Sequence, residues 1–320
     1  MAALVAAPGG AVSGETLRRR LGVSRAAVWK RIERLRAVGF AIEAVPGRGY
    51  LWAGGDASLA PWSLAARAPG LICAIEYYER VGSTNDVVKR RGAEGAPEGL
   101  LVLAETQHAG RGRLGRSWHS PSGKGIWASL LLRPRLDPFG VPNLTLLTAA
   151  AVAAAIEAEC GLDARIKWPN DVLIHERKVC GILVEMAAEL GVVGYVAVGF
   201  GINVDVPAAE LAAVSDWATS LAAAGCAVER SALLVRVLAE FERRYRAALQ
   251  AGFAGVIAEN RARSATIGRM VRVIEPHGEW SGRAEAIEDD GALVVVDRGG
   301  AARRVRSGEV SLRPDAAKGE

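Results

Sequence analysis

The chain has 320 residues, 50% of them hydrophobic and 23% charged, which is the balance of a folded protein with two or three domains. This composition excludes a mainly disordered chain, a collagen-like repeat and a small disulfide scaffold. The net charge is +5, and residues 1–50 carry all of the excess with nine basic and three acidic side chains. We therefore expect a small N-terminal module that meets a polyanion.

The N-terminal segment has the pattern of a winged helix-turn-helix over residues 1–54. A short helix over Gly14–Arg20 follows Ser13, and a tight turn at Leu21–Val23 follows that helix. Ser24 is a good N-cap for a second helix. That helix has apolar residues at a spacing of three or four, and we expect it to end at Gly39: Val28, Ile32, Leu35 and Val38. Two apolar segments on either side of a Pro-Gly turn, Phe40–Val45 and Gly49–Trp52, then predict a hairpin.

DNA is the polyanion that this pattern favours, because a second helix of this kind lies in the major groove. The alternative is a generic helical hairpin with a solvated basic face. The side chains left on other faces of the helix, and one basic residue in the hairpin, are the candidates for DNA contact: Arg25, Trp29, Lys30 and Arg48.

Residues 65–260 predict a mixed, mainly antiparallel α+β domain, because strands occur in runs joined by short turns. Val81–Asp86 forms a polar turn that could cap a helix. The other predicted elements, in chain order, are strands at Ile72–Tyr78, Leu100–Thr106 and Gly125–Arg133, a helix at Leu144–Cys160, a strand at Ala164–Trp168, a hairpin from Val172–Ile174 to Val179–Met186, a strand at Val192–Val204 and a helix at Arg230–Gln250.

The longest apolar stretch, Leu144–Ile156, is shorter than the roughly 20 residues that cross a bilayer, so we expect a buried helix. Met1–Val12 has no basic start and no clear cleavage site, which predicts a cytoplasmic protein without a membrane partner. The four cysteines, Cys73, Cys160, Cys180 and Cys226, contain no C-x-x-C pair, and we expect free thiols in a reducing compartment.

The loop Gly110–Gly115 matches G-x-G-x-x-G, but the residues after it do not continue as a helix, so a dinucleotide fold is not expected. Its glycines let backbone N–H groups approach an anion, while Arg111, Arg113 and Arg116 add fork-shaped donors. Trp118 follows and offers a face on which an adenine could stack. We interpret this loop as a phosphate-binding cover, against the alternative of a solvated surface loop.

Two further motifs place charge beside apolar strands. Lys167–Asp171 ends a strand with a rigid turn that holds a lysine, an amide and a carboxylate. Lys178 precedes a glycine in an apolar strand, which favours a side chain that points into a cleft over an ordinary surface lysine. Residues 265–316 alternate apolar and polar side chains, with turns at Pro276–Gly278 and Asp289–Gly291, and predict a small β-barrel.

These motifs resemble those of the bifunctional biotin protein ligases that also repress the biotin operon, the BirA type. The ordered set is specific, and the resemblance covers nearly the whole chain. The matching segments are Ser24–Ala27, Gly47–Tyr50, Ser83–Asn85, Gln107 with Ala109–Arg113, Gly115 and Arg116 with Trp118, Lys167–Asp171, Lys178 with Gly181–Glu185, and Gly199–Asn203. Two residues depart from the family pattern, His108 and His119, and affect the expected packing of adenine.

The resemblance implies a two-step reaction. Biotin and ATP, the substrates, give biotinyl-5′-AMP, with Mg²⁺ carried on the ATP phosphates and no metal site built by the protein. Biotin then passes to a lysine of a biotin carboxyl carrier domain. The family further implies operator DNA as a partner, a homodimer when biotinyl-AMP is bound, and an SH3-like C-terminal domain.

The resemblance also implies roles for individual residues. Lys178, Arg113 and Asp171 are the expected catalytic residues, with Lys178 between the biotin carboxylate and the α-phosphate and Asp171 beside the incoming lysine. The full set expected to bind biotin or ATP is Ser83, Thr84, Asn85, Gln107, Arg111, Gly112, Arg113, Trp118, Asn170, Lys178 and Asn203.

Two other functions stay open at this stage. One is a lipoate or octanoate protein ligase, which shares the catalytic domain. The other is a ligand-sensing transcription factor without ligase activity. The N-terminal module and the arginine loop argue against the first, and Lys178 with the intact loop argues against the second.

Overall fold

Three regions of regular structure follow one another along the chain. The computed structural model describes residues 4, 10–37, 42–52, 59, 61–64, 67–275, 278–306 and 308–312. A helix-turn-helix with a hairpin comes first, a seven-stranded sheet with helices second, and a five-stranded sheet last. The predicted fold class is confirmed.

The N-terminal region contains α1 (Gly14–Leu21), α2 (Arg25–Ala37), β1 (Ile42–Val45) and β2 (Gly49–Trp52), with the two strands paired antiparallel. Each helix begins after a capping serine. The Ser13 hydroxyl accepts from the Thr16 N–H at 3.0 Å, and the Ser24 hydroxyl accepts from the Ala27 N–H at 3.2 Å. Of the apolar side chains of α2 that were expected inside, Val28 and Ile32 are buried and Leu35 is partly buried against them. The predicted roles of Val38, Gly39 and Phe40 lie outside the described residues.

The central sheet has the strand order β3-β4-β5-β9-β8-β7-β6. Only β3 and β4 pair in parallel, and every other neighbouring pair is antiparallel. A helix, α4, connects the parallel pair, as a crossover requires. The bounds are α3 (Pro61–Leu64), β3 (Ala74–Val81), α4 (Thr84–Ala93), β4 (Leu100–Gln107), β5 (Gly125–Leu132), α5 (Asn143–Cys160), β6 (Arg165–Lys167), β7 (Asp171–Ile174), β8 (Arg177–Glu189), β9 (Val192–Asn203), α6 (Ala208–Ala212), α7 (Arg230–Ala251) and α8 (Ala254–Ala262).

The alanine-rich helix α5 lies in the core and packs against α7 and α8. The segment Pro138–Cys160 is long and apolar enough to cross a membrane, but 78% of its most apolar stretch is buried within the protein. The prediction of a buried core helix is confirmed.

The C-terminal region is an antiparallel sheet in the order β13-β12-β11-β10-β14. Its strands are β10 (Met270–Glu275), β11 (Gly278–Ile287), β12 (Leu293–Asp297), β13 (Ala302–Val305) and β14 (Glu309–Ser311). The turn at Asp289–Gly291 is present, whereas Pro276 and His277 lie outside the described residues. Apolar side chains of this sheet, such as Val273 and Val295, share a core with α7 and α8.

The expectation of four free cysteines is wrong in this structure. Cys160 and Cys226 form a disulfide with a Cα–Cα distance of 5.6 Å, while Cys73 and Cys180 are free. The fold brings the end of α5 against the loop before α7, although the two cysteines are 66 residues apart in sequence. The spacing of the cysteines along the chain does not predict this disulfide.

A buried ion pair joins the start of α7 to the central sheet. Arg230 lies 2.8 Å from Glu105, with side chains only 6% and 12% exposed, and it also donates to the carbonyl of Gly125 at 3.1 Å. Tyr77 adds a hydrogen bond to the same carboxylate at 3.1 Å. Removal of one partner leaves a buried charge without compensation.

We predict that Arg230→Ala lowers the free energy of unfolding by about 3–5 kcal/mol, because the buried carboxylate of Glu105 would lose its positively charged partner. Urea denaturation provides the measurement. Arg236→Ala on the same helix is the matched control, since its pair with Glu159 is 47% and 26% exposed and is worth about 1 kcal/mol or less. Equal losses in the two variants would contradict the assignment.

Candidate active site

A cleft of about 820 Å³ lies between the central sheet and the C-terminal sheet. Strands β4, β8 and β9 contribute to its wall, and the C-terminal region closes it with residues such as Arg272 and Ser311. Every residue predicted to act on or bind a small molecule lines this cleft: Ser83, Thr84, Asn85, Gln107, Arg111, Gly112, Arg113, Trp118, Asn170, Asp171, Lys178 and Asn203.

One part of the cleft is lined by neutral hydrogen-bonding groups. The side-chain oxygen Oε1 of Gln107 accepts from the N–H of Thr84 at 2.8 Å and from its hydroxyl at 3.1 Å. The Thr84 hydroxyl also lies 2.7 Å from the Ser129 hydroxyl. Ser83 stands at the N-cap position of α4, but its hydroxyl makes no capping hydrogen bond. These groups suit a polar, uncharged ring with donors and acceptors on its edge.

The indole of Trp118 lies directly against the sheet, where two glycines leave room for it. A Cβ atom at Gly201 would be 2.4 Å from the indole nitrogen, and one at Gly181 would be 2.8 Å from the six-membered ring. The Lys178 ammonium lies 5.2 Å from the centre of the indole, within range of a cation–π contact. The strands therefore fix an aromatic face beside a positive charge.

A buried carboxylate separates two lysines in the cleft. Asp171, whose side chain is 8% exposed, lies 2.7 Å from the Lys167 ammonium and 2.6 Å from the Lys178 ammonium. Burial alone would raise the pKa of Asp171, but the charges of Lys178 and Lys167 outweigh it and hold the pKa below its ordinary value. Asp171 is therefore an anion at neutral pH that both ammonium groups contact.

Arg111 lies near a second set of charges on the rim. Its guanidinium donates to Asp86 at 2.7 Å and lies 3.9 Å from Glu185. Lys89 bridges the same two carboxylates, at 3.5 Å and 2.7 Å. The hydrogen bond donated by Arg111 lowers the pKa of Asp86, and the hydrogen bond that Lys89 donates to Glu185 raises the pKa of Lys89. Asp86 and Lys89 are therefore both charged at neutral pH.

The arginine loop is attached to the C-terminal sheet. Arg113 donates to the carbonyl of Gly308 at 2.7 Å, and Arg116 forms an ion pair with Glu309 at the start of β14. Burial lowers the pKa of Arg113, while Glu309 and Asp171 act in the opposite direction; a guanidinium in such a setting stays charged. The loop, which follows β4 of the central sheet, is thus also attached to the C-terminal region.

The loop itself is not the start of a helix, which confirms that the G-x-G-x-x-G pattern does not mark a dinucleotide fold. A single 3₁₀ turn at Arg113–Gly115 interrupts it, and Leu114 has a left-handed φ of 53°. Gly112 donates to the carbonyl of Arg116 at 2.7 Å, which closes the loop on itself.

The side-chain amides of Asn85, Asn170 and Asn203 have partners within the protein. Asn85 donates to Glu185 at 2.9 Å and accepts from the Ser129 hydroxyl at 2.6 Å. Asn170 and Asn203 donate to backbone carbonyls at 3.1 Å and 3.0 Å. All three asparagines therefore brace the walls of the cleft.

The residues expected at a DNA interface are all exposed on the N-terminal module. Arg25, Trp29 and Lys30 lie on α2, with Trp29 55% exposed, and Arg48 lies in the turn between β1 and β2. Within the described residues, Arg25 and Lys30 make no ion pair, unlike Arg18 and Arg36. Charges that have no protein partner are available for phosphate groups.

Some charged residues pair with the predicted residues of the site or its loop but were not themselves assigned from the sequence: Lys167, Glu185, Asp86 and Glu309. Lys167 and Glu185 stand within recognised motifs, and Asp86 directly follows one, so position along the chain gave a signal for these three. Glu309 gave none, because it lies 193 residues from its partner Arg116.

The fold and the cleft define a helix-turn-helix protein joined to a biotin or lipoate ligase domain. Residues 77–203 match the biotin/lipoate A/B protein ligase family, residues 1–51 an HTH domain, and residues 266–313 the biotin protein ligase C-terminal domain. The chain belongs to the family of bifunctional ligase/repressor BirA proteins. The member from Bacillus spizizenii is 38% identical over 94% of each chain.

Other known proteins agree with this membership. The biotin–[acetyl-CoA-carboxylase] ligase of Paracoccus denitrificans is 37% identical over 71% of this chain and 95% of its own. The solved structure of biotin protein ligase from Aquifex aeolicus in complex with biotin and ATP has a TM-score of 0.64 and 27% identity, over 76% of this chain and 99% of that one.

We predict that Gly201→Ala lowers the free energy of unfolding by about 1–3 kcal/mol, because the new Cβ atom would displace the Trp118 indole. Urea denaturation measures the loss. Gly194→Ala on the same strand is the control, since its Cβ meets only a carbonyl at 3.5 Å, an ordinary contact. A smaller loss at Gly201 than at Gly194 would show that the indole does not lie against the strand.

Proposed function

We propose that this protein is a biotin protein ligase that activates biotin with ATP and transfers it to a carrier-protein lysine, and that it also acts as a repressor of the biotin operon. One observation carries the enzymatic part: the cleft gathers cations from distant segments around the Trp118 indole and a set of neutral hydrogen-bonding groups. That combination fits a nucleotide, a carboxylic acid and an uncharged polar ring. Family membership supports biotin as the acid.

The first step joins two anions, so its main obstacle is charge. An oxygen of the biotin carboxylate forms a bond to the α-phosphorus of ATP, while the bond from that phosphorus to the bridging oxygen breaks. Pyrophosphate leaves with the electron pair. Lys178 and Arg113 supply fixed positive charge where negative charge accumulates, which is a large source of rate enhancement in such sites.

The second step needs no protein nucleophile. The ε-amine of the carrier lysine forms a bond to the biotin carbonyl carbon, the acyl–phosphate bond breaks, and AMP leaves. Asp171 is the residue we assign to orient that amine. Cys180 is unsuited to nucleophilic attack, because burial raises the pKa of its thiol far above neutral pH.

The other site residues receive the following roles. Ser83, Thr84 and Gln107 bind the ureido ring, supported by the neutral groups around Thr84. The backbone from Gly112 to Arg113 also contributes to the ureido-ring site. Arg111 and Arg113 hold the carboxylate and phosphate, and Trp118 contacts adenine. Asn85, Asn170 and Asn203 keep the walls in position through their amide hydrogen bonds, and the oxygens of Asn170 and Asn203 remain for adenine.

Partners and domain limits follow from the same family. The N-terminal domain, residues 1–54, binds operator DNA through Arg25, Trp29, Lys30 and Arg48. The catalytic domain, residues 65–260, meets a biotin carboxyl carrier domain with help from the C-terminal SH3-like domain, residues 265–316. Mg²⁺ arrives on the ATP phosphates.

We also infer a homodimer when biotinyl-AMP is bound, and a cytoplasmic location, where ATP, the carboxylase and the operator are found together. Exposed apolar side chains where β8 and β9 meet support a protein contact, since Leu190 is 98% exposed and Val192 69% exposed.

We predict that Lys178→Met reduces biotinyl-AMP formation by about 100-fold or more, because the charge between two anions is lost. The measurement is AMP-adduct formation from ATP, Mg²⁺ and biotin, with octanoate and lipoate in parallel. Lys124→Met is the control, since Lys124 pairs with Asp205 in solvent, with side chains 40% and 66% exposed. Near-wild-type yield from Lys178→Met would remove Lys178 from its role.

The same assay separates the two other functions. Adduct formation with octanoate or lipoate but not with biotin would identify a ligase of the alternative substrate class. No adduct with any of the three acids would identify a ligand-sensing regulator without enzymatic activity.

We predict that Arg25→Ala combined with Lys30→Ala weakens DNA binding by about 10-fold or more in 0.15 M salt, because two phosphate or base contacts are lost. A duplex selected from a random library by the wild-type protein serves as the probe in a gel-shift assay. Biotinyl-AMP formation should be unchanged. The double variant Arg18→Ala with Arg19→Ala, on α1, is the control, and an equal loss there would show that only net charge matters.

A further inference from the structure

We propose that Lys167 is a positioning residue for the transfer step, and that it holds the Asp171 carboxylate in place for the incoming carrier lysine. This inference rests on the proposed function. The two lysines beside Asp171 would then have different tasks, although both contact the same carboxylate.

The backbone places Lys167 opposite Asp171 independently of anything in the cleft. The two residues face one another in the antiparallel pair of β6 and β7, across the short turn that contains Pro169. The Lys167 ammonium donates to Oδ2 of Asp171 at 2.7 Å, and its side chain is 16% exposed. The Lys167 side chain is therefore mostly buried in the wall of the cleft, and its ammonium contacts one carboxylate oxygen.

Lys178 contacts the other oxygen from a more exposed position. Its ammonium lies 2.6 Å from Oδ1, and within the described part of the chain no other group donates to this buried oxygen. The Lys178 side chain is 31% exposed, about twice the exposure of Lys167, and its ammonium also faces the Trp118 indole. Oδ1 is thus the oxygen of Asp171 that can take a new donor from the cleft.

The proposed first step gives Lys178 a competing anion, because the biotin carboxylate and the α-phosphate both attract its ammonium. When Lys178 follows that anion, Oδ1 loses its cation. Asp171 is almost fully buried, so without any cation its carboxylate would take up a proton. Lys167 prevents this, since its contact with Oδ2 does not depend on the nucleotide.

An anionic Asp171 with a free Oδ1 can receive the ammonium of the carrier lysine. That lysine loses one proton to water and forms the C–N bond to the biotin carbonyl carbon. The C–O bond to the phosphate breaks, AMP leaves with the electron pair, and the second proton leaves the nitrogen for solvent. Lys167 touches none of the reacting atoms and acts only through Asp171.

The test measures the two steps separately in the full-length protein. Biotinyl-AMP formation from ATP, Mg²⁺ and biotin gives the first rate constant, and its burst amplitude counts the folded sites. Preformed enzyme-bound biotinyl-AMP mixed with saturating apo-carrier domain gives the second. Both rate constants are expressed per active site, so a partly unfolded variant remains interpretable.

We expect Lys167→Met to leave the first rate constant within about 3-fold and to reduce the second by about 10–100-fold, the size of effect that a misplaced reacting group produces. Lys167→Arg should restore most of the transfer rate, since it keeps the charge. In an Asp171→Asn background, Lys167→Met should cause no further loss, because the two residues act as one unit. Lys124→Met should change neither step.

Several results would overturn the inference. Equal losses in both steps would make Lys167 a general electrostatic residue, and unchanged transfer would make it a structural one. Additive losses with Asp171→Asn would show that Lys167 does not act through that carboxylate. If the wild-type protein forms no biotinyl-AMP, the proposed function itself fails and this inference fails with it.

Discussion

The site depends on the repulsion between positive charges that must share a small space. A cleft that joins two anions needs several cations, and unpaired cations a few ångströms apart destabilise the folded protein. The protein places a carboxylate beside four of these cations: Asp171 between the two lysines, Asp86 beside Arg111, and Glu309 beside Arg116. These carboxylates hold the cations in place. A ligand anion must therefore compete with these carboxylates for the cations.

A second constraint, the space for side chains against the sheet, explains why the strands of the site are rich in glycine. The indole of Trp118 approaches the backbone of the sheet closely. Gly181 and Gly201 allow that approach, and Gly199 does the same for Asn85, whose side-chain oxygen would be 2.2 Å from a Cβ atom there. Glycine residues in the middle of strands weaken a sheet, so their presence here reflects the space that the site requires.

Much of the fold could be predicted from the sequence, because local sequence patterns indicate where helices and strands form. The capping serines, the helical spacing of Val28 and Ile32 and the runs of strands correspond to elements within a few residues of the expected bounds. Contacts between distant segments could not be predicted in this way. The Cys160–Cys226 disulfide and the Arg116–Glu309 pair depend on tertiary packing, and neither has a local signature.

The reach of Glu309 and Ser311 into the cleft has a consequence for the newly made protein. Residues near the end of the 320-residue chain complete a site whose other parts begin at Ser83. At about 5–20 residues per second, the ribosome adds Glu309 roughly 13–50 s after Trp52 ends the winged module. During that interval the nascent chain contains the whole helix-turn-helix module, whereas the cleft still lacks residues that line it. The module is therefore synthesised before the cleft can be completed.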